Sequence, residues 1–127
     1  MDVLLDTHAL VWWMEDASRL SRRAGTIIGN TANRIFISAA VGWELSIKVS
    51  TGKMKPASIL DDLEHELGKE AFVQLPITLE MALRAGALPP HHRDPFDRML
   101  VAQAQLLRVP VVSADAVLDN YQIKRLW

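Results

Sequence analysis

The sequence contains no cysteine. A disulfide framework and a thiolate metal site are both excluded. A chain without thiols suits a reducing cytoplasm, which is the expected location. No excess of one charge exists either: 14 basic residues face 15 acidic ones, for a net charge of −1. Global charge therefore does not advertise nucleic-acid binding. A polyanionic partner would have to be held by local basic patches or by a bound metal. Long hydrophobic runs are absent. The first, Val3-Leu4-Leu5, stops at Asp6, short of the apolar region of a signal peptide. Nothing approaches the ~20 apolar residues of a membrane span. Glycine is also sparse, with six in the chain. There is no phosphate-binding glycine loop of either common type. Ser113 has no glycine elbow around it, so it is not a hydrolase nucleophile.

What is present is a chain of 127 residues, 50% of them hydrophobic. That suits a single domain spanning residues 1–127 with its own core. The pattern predicts strands over residues 3–5, 34–38 (RIFIS), 72–75, 109–113 (VPVVS) and 123–127. Helices are expected over 7–14, 18–28, 39–50, 58–67, 78–85 and 95–107, with a helical turn at 116–120. Gly52, Gly68 and Gly86 read as helix stops. Residues 88–93 form a Pro/His loop. Strands alternate with helices, and the strands are apolar throughout. This predicts an α/β fold with a central parallel sheet wrapped by helices.

Ligands bind such sheets beyond the carboxyl ends of the strands. Four acids fall there. Asp6 directly follows the first strand, and Asp115 follows the strand at 109–113. Glu44 lies in the helix after the strand at 34–38, and Asp97 in the first turn of the helix feeding 109–113. Each has a local excuse. Asp6 and Asp115 suit helix N-caps. Glu44 can pair with Lys48 at i,i+4, yet Ala40, Val41 and Ile47 place it against the apolar side, where an unpaired carboxylate is costly.

The stretch HHRDPFDRML (91–100) carries two more such choices. Asp94 suits an N-cap, with Pro95 at the first helical position. Asp97 is then the third helical residue, able to complete a capping box. However, it projects within the apolar arc of Leu100, Val101, Ala104 and Leu107, while Arg98 and Gln105 define the polar face. Asp97 is therefore the acid aimed inward, and Asp94 mainly the cap.

Several carboxylates at one rim repel each other unless a cation intervenes. Hard oxygen ligands favour Mg²⁺ or Mn²⁺, and such sites recruit phosphates. Of the remaining candidates, His91 and His92 form a tempting metal pair. Adjacent histidines in a Pro-rich loop ordinarily face solvent, and with Arg93 they better suit contact with a phosphate. His8 and His65 are isolated. Ser113 suits a hydrogen bond to a ligand water or to one of the acids. Trp12 and Trp13 point about 100° apart, so one is expected inside and the other partly covered, with a dimer or partner surface as the sharper alternative.

Taken in order, LLDTHALVWW, ISAAVGWELSIK, LPIT, HHRDPFDRMLVAQA and VVSAD resemble the PIN-domain toxins of the VapC type. The resemblance runs from the first strand to Trp127. It implies a three-layer α/β/α domain and a metal-dependent ribonuclease site. Matched by position, the family's acids fall on Asp6, Glu44, Asp97 and Asp115. Ser113 falls where the family often has Thr or Ser. Asp94 either joins the outer part of the site or only caps its helix. The resemblance further implies one or two Mg²⁺ or Mn²⁺ ions, an RNA substrate, an antitoxin that blocks the site, and a homodimer. The expected reaction is phosphodiester hydrolysis by metal-activated water, leaving a 5′-phosphate and a 3′-hydroxyl. Arg98 or Arg93 would position the phosphate. Arg19, Arg22, Arg23, Lys48, Lys53 and Lys55 are further basic residues for RNA.

Three rival readings differ in chemistry. A phospho-accepting receiver domain needs adjacent acids after strand 1, where Leu5-Asp6-Thr7 supplies one. A haloacid-dehalogenase-like phosphatase needs a second aspartate two residues after the first, where His8 stands. A binding-only protein could keep the fold without turnover, although all four acids are present.

Overall fold

The computed structural model describes residues 1–55 and 58–127. Among these, five strands form one sheet: β1 (Asp2–Leu5), β2 (Arg34–Ser38), β3 (Val73–Leu75), β4 (Val111–Val112) and β5 (Arg125–Leu126). Their order is β3-β2-β1-β4-β5, and every pairing is parallel. Val3, Leu4, Leu5, Val111 and Val112 are fully buried. Their unbroken apolar character follows from this, because crossover helices cover both faces of a parallel sheet.

The helices are α1 (Thr7–Glu15), α2 (Arg22–Gly29), α3 (Ala39–Ser50), α4 (Ser58–Asp61), α5 (Leu63–Lys69), α6 (Leu79–Ala87) and α7 (Pro95–Leu107). The bounds of α3 and α7 coincide with the expected ones. Elsewhere local chemistry shifts the boundaries. The helix expected over 18–28 is instead a 3₁₀ turn, Ala17–Arg19, followed by α2. Ser21 divides them, its hydroxyl accepting from the Ala24 N–H at 3.0 Å as an N-cap. The helix expected over 58–67 breaks at Asp62, whose φ of −145° is not helical. Gly86 does not stop α6, which continues through Ala87. The stop comes at Leu88, held extended by the proline that follows it. β4 is shorter than expected, in keeping with Pro110, which has no N–H to give to a ladder.

Both adjacent tryptophans are half-buried. Trp13 packs on the core, and Trp12 stacks on His8 and tilts against Trp127. No helix among the described residues is long and apolar enough to cross a membrane.

The strand order positions the site. From β1 the chain steps to β2 and β3 on one side, then returns to lay β4 on the other side of β1. The order thus reverses between β1 and β4, where a ligand crevice forms at the carboxyl ends. Leu5 pairs with Val112, so Asp6 and Ser113 emerge side by side at that crevice.

Candidate functional site

Asp6 is buried as it leaves β1. Its Oδ1 accepts from the Ala9 N–H at 2.8 Å, capping α1, and its Oδ2 accepts from the Ser113 hydroxyl at 2.5 Å. The cap therefore uses only one oxygen. Burial raises its pKa above the ordinary carboxylate value, against the pull of the Ser113 and Ala9 hydrogen bonds. Ser113 also accepts from the Asp115 N–H at 3.0 Å. One hydroxyl thus links the first acid to the last.

Glu44 lies on the buried side of α3. Its Oε1 accepts from the Thr7 hydroxyl and its Oε2 pairs with Lys48 Nζ, each at 2.6 Å. The i,i+4 pair read from the sequence exists, but on a buried face. Thr7 follows Asp6 directly, so this contact brings Glu44 to the same rim.

Asp94 caps α7: its Oδ1 accepts from the Phe96 N–H at 2.8 Å, with Pro95 at the first helical position. Asp97 does not complete a capping box. It turns inward, half-buried, with Oδ2 3.2 Å from His92 Nε2. Asp115 caps the 3₁₀ turn Ala116–Asn120 through Oδ1, which accepts from the Val117 N–H at 3.0 Å. Its Oδ2 lies 2.8 Å from the same His92 nitrogen. Ligand atoms of His92, Asp97 and Asp115 all lie within 4.8 Å of one another.

Electrostatics tie Asp97 to Asp94, Asp6 and Glu44. The pKa of Asp97 is pushed up to about 7, first by burial and then by the negative charges of Asp94, Asp6 and Glu44, with His92 opposing. A carboxylate surrounded by like charge holds its proton more tightly, and a cation arriving beside it would reverse that. The donors of Asp6, Glu44, Asp97 and Asp115 are hard oxygens. The set fits Mg²⁺ or Mn²⁺.

Two expectations need correction. His92 does not simply face solvent; only its neighbour His91 is exposed, packing edge-on against Tyr121. Arg98 does not offer a free guanidinium to a phosphate. Its NH1 donates to the carbonyls of Pro89 and His92 at 3.1 and 3.3 Å. Its NH2 donates to Ala85, Gly86 and Leu88 at 2.9, 3.3 and 2.9 Å. Arg98 therefore ties the 85–92 segment to α7, while Arg93 is exposed at the loop. Sequence reasoning missed the roles of His92 and Thr7. For His92 a signal existed: it stands two residues before the cap of α7, beside the turn that carries Asp97.

A family model for the PIN domain matches residues 3–124. No curated protein matches the chain. Among solved structures, a chain of the VapBC2 complex from Rickettsia felis, bound to a DNA fragment from its promoter, superposes with a TM-score of 0.73 at 17% identity, covering 100% of this chain and 99% of that one. A chain of FitAcB from Neisseria gonorrhoeae gives 0.65 at 15% identity, covering 98% and 96%. A toxin–antitoxin complex from Klebsiella pneumoniae gives 0.61 at 18%, covering 89% and 86%. At these identities the likeness establishes the fold.

Proposed function

The chain belongs to the PIN domain family, and from that premise we propose that it is a divalent-metal-dependent endoribonuclease, the toxin of a toxin–antitoxin pair. The observation that carries this reading is the convergence of the acids on the β1/β4 crevice: Ser113 links Asp6 to Asp115, Thr7 brings Glu44 to the same rim, and one His92 nitrogen lies within 3.2 Å of both Asp97 and Asp115. Asp6, Glu44, Asp97 and Asp115 would hold one or two Mg²⁺ or Mn²⁺ ions. An ion held there supplies the Lewis acidity that makes water a nucleophile at neutral pH and offsets charge on a phosphodiester.

The chain's own residues shape that site. Ser113 fixes Oδ2 of Asp6, while Thr7 and Lys48 fix the two oxygens of Glu44. Arg93, exposed beside Asp94, contacts a substrate phosphate. Arg98 shapes the loop that carries it.

The toxin role is supported by the likeness to a chain of the Klebsiella toxin–antitoxin complex and to a chain of the Rickettsia VapBC2 complex. It is also supported by exposed apolar surface. Trp43, Leu79 and Leu83 are 63%, 75% and 67% exposed, surface suited to an antitoxin or a second copy.

The test is RNA cleavage by purified protein and by Asp6→Asn, with Mg²⁺ or with EDTA. Products bearing 5′-phosphates are expected from the wild type with Mg²⁺ alone. Cleavage persisting in EDTA or in the variant contradicts the reading. RNA binding without cleavage under any metal favours a binding-only protein.

A further inference from the structure

A backbone N–H can only donate. The Asp94 N–H meets Nδ1 of His92 at 3.1 Å, so Nδ1 is the acceptor and carries a lone pair. In the neutral imidazole the proton then sits on Nε2. That nitrogen lies 2.8 Å from Oδ2 of Asp115 and 3.2 Å from Oδ2 of Asp97. The N–H hydrogen-bonds to Asp115 and stands within ion-pair distance of Asp97, on a separate element.

A histidine that ligates a metal has the reverse polarity. It turns a lone pair to the ion and donates its other N–H to a carbonyl or carboxylate. Here the backbone selects the opposite tautomer. The backbone that carries the ring is itself held in place. The His92 N–H donates to the Tyr121 hydroxyl at 2.9 Å, and the His92 carbonyl accepts from Arg98 at 3.3 Å. The Tyr121 hydroxyl in turn donates to the Pro89 carbonyl at 2.8 Å.

We propose that His92 is a positioning residue, a hydrogen-bond donor that braces Asp97 against Asp115 and stays outside the ligand set of the metal. The inference rests on the reading of these acids as a divalent-metal centre. His92 engages one oxygen of each carboxylate, and an ionised carboxylate has about four lone-pair sites. Both acids keep donor capacity for an ion. The brace sets the spacing of two ligands, one on the turn after β4 and one on the first turn of α7.

Two measurements test it. The first is ¹⁵N NMR of metal-free wild-type protein with labelled histidine, at mildly alkaline pH. His92 is expected as the Nε2–H tautomer; an Nδ1–H tautomer overturns the proposal. The second is Mn²⁺ binding followed by EPR. His92→Ala is expected to weaken binding roughly 10- to 100-fold, the range for partners that orient metal ligands. His92→Gln, which keeps a donor, recovers part of that loss. Unchanged or tighter binding in His92→Ala overturns the proposal. So does ¹⁴N coupling from His92 in pulsed EPR of the Mn²⁺-loaded wild type, which would make His92 a ligand. Wild-type protein that binds no Mn²⁺ sinks the metal-centre reading itself, and the brace with it. The two failures are thus distinguishable.

Discussion

The Ser113 hydroxyl donates to Oδ2 of Asp6 at 2.5 Å, joining residues 107 positions apart in the chain. The contact exists because β1 and β4 are adjacent and parallel, so that the residues after them emerge together. Ser113 also receives the Asp115 N–H. Replacing it with alanine strips a buried carboxylate of its donor and a backbone N–H of its acceptor. Ser113→Ala should cost about 1–3 kcal/mol of stability and weaken Mn²⁺ binding roughly 10-fold or more. Denaturant unfolding and calorimetric titration check both. A variant as stable and as metal-avid as wild type would reduce Ser113 to a bystander.

Metal-free stability should depend on pH through Asp97. Its pKa rises from 3.8 to about 7 on folding, so the folded state holds the proton more tightly than the unfolded one. At pH below 3.8 both states are protonated. As pH rises through the window up to about 7, the unfolded chain releases its proton while the folded chain resists, and stability falls. Asp6, also raised by burial, adds in the same direction. Thermal unfolding in EDTA should show this decline, and Asp97→Asn should flatten it. Mn²⁺ should stabilise the wild type more at neutral than at acid pH, because the ligands must be deprotonated. A metal-free profile that rises across the window contradicts the electrostatic account.

Arg98 should behave as a scaffold. Lysine keeps the positive charge but lacks the planar fork that reaches several carbonyls. Arg98→Lys should therefore lose roughly 1.5–3 kcal/mol, the range for hydrogen bonds to charged groups. Arg93→Lys should leave stability unchanged, and Arg93→Ala should weaken RNA binding in a salt-dependent manner. If Arg98→Lys instead retains full stability and loses only RNA affinity, Arg98 is the phosphate contact.

Asp94 separates capping from charge. Asp94→Ala removes the acceptor of the Phe96 N–H and should cost about 1 kcal/mol. Asp94→Asn keeps the cap and should leave stability near wild type, while lowering the pKa of Asp97 by removing a neighbouring negative charge. NMR titration of Asp97 in the metal-free variant reads that shift.

The frame and the four acids were legible because their signals are local. Val3-Leu4-Leu5 reads as a doubly buried strand, and Asp94-Pro95 punctuates the start of α7. Asp97 could be separated from Asp94 because the helical period places it among Leu100, Val101 and Ala104. The illegible features depend on contacts between distant segments. His92 meets Asp115 across 23 residues, and Thr7 meets Glu44 across 37. The place of His92 two residues before the cap of α7 was a cue to Asp97, but nothing in a proline-rich loop announces the contact with Asp115. Arg98 misled for a related reason. Its place opposite the apolar arc implied solvent, whereas the 85–92 segment folds over it and supplies carbonyls.

Everything in the functional account depends on the acids being a cation site. The most direct measurement is anomalous diffraction from crystals of the wild-type protein soaked in Mn²⁺. The account predicts a strong peak coordinated by oxygens of Asp6, Asp97 or Asp115, within or one water beyond the reach of Glu44, with the His92 ring outside the coordination sphere. Well-ordered crystals with no peak at these carboxylates, at Mn²⁺ concentrations that fill ordinary sites, would contradict it.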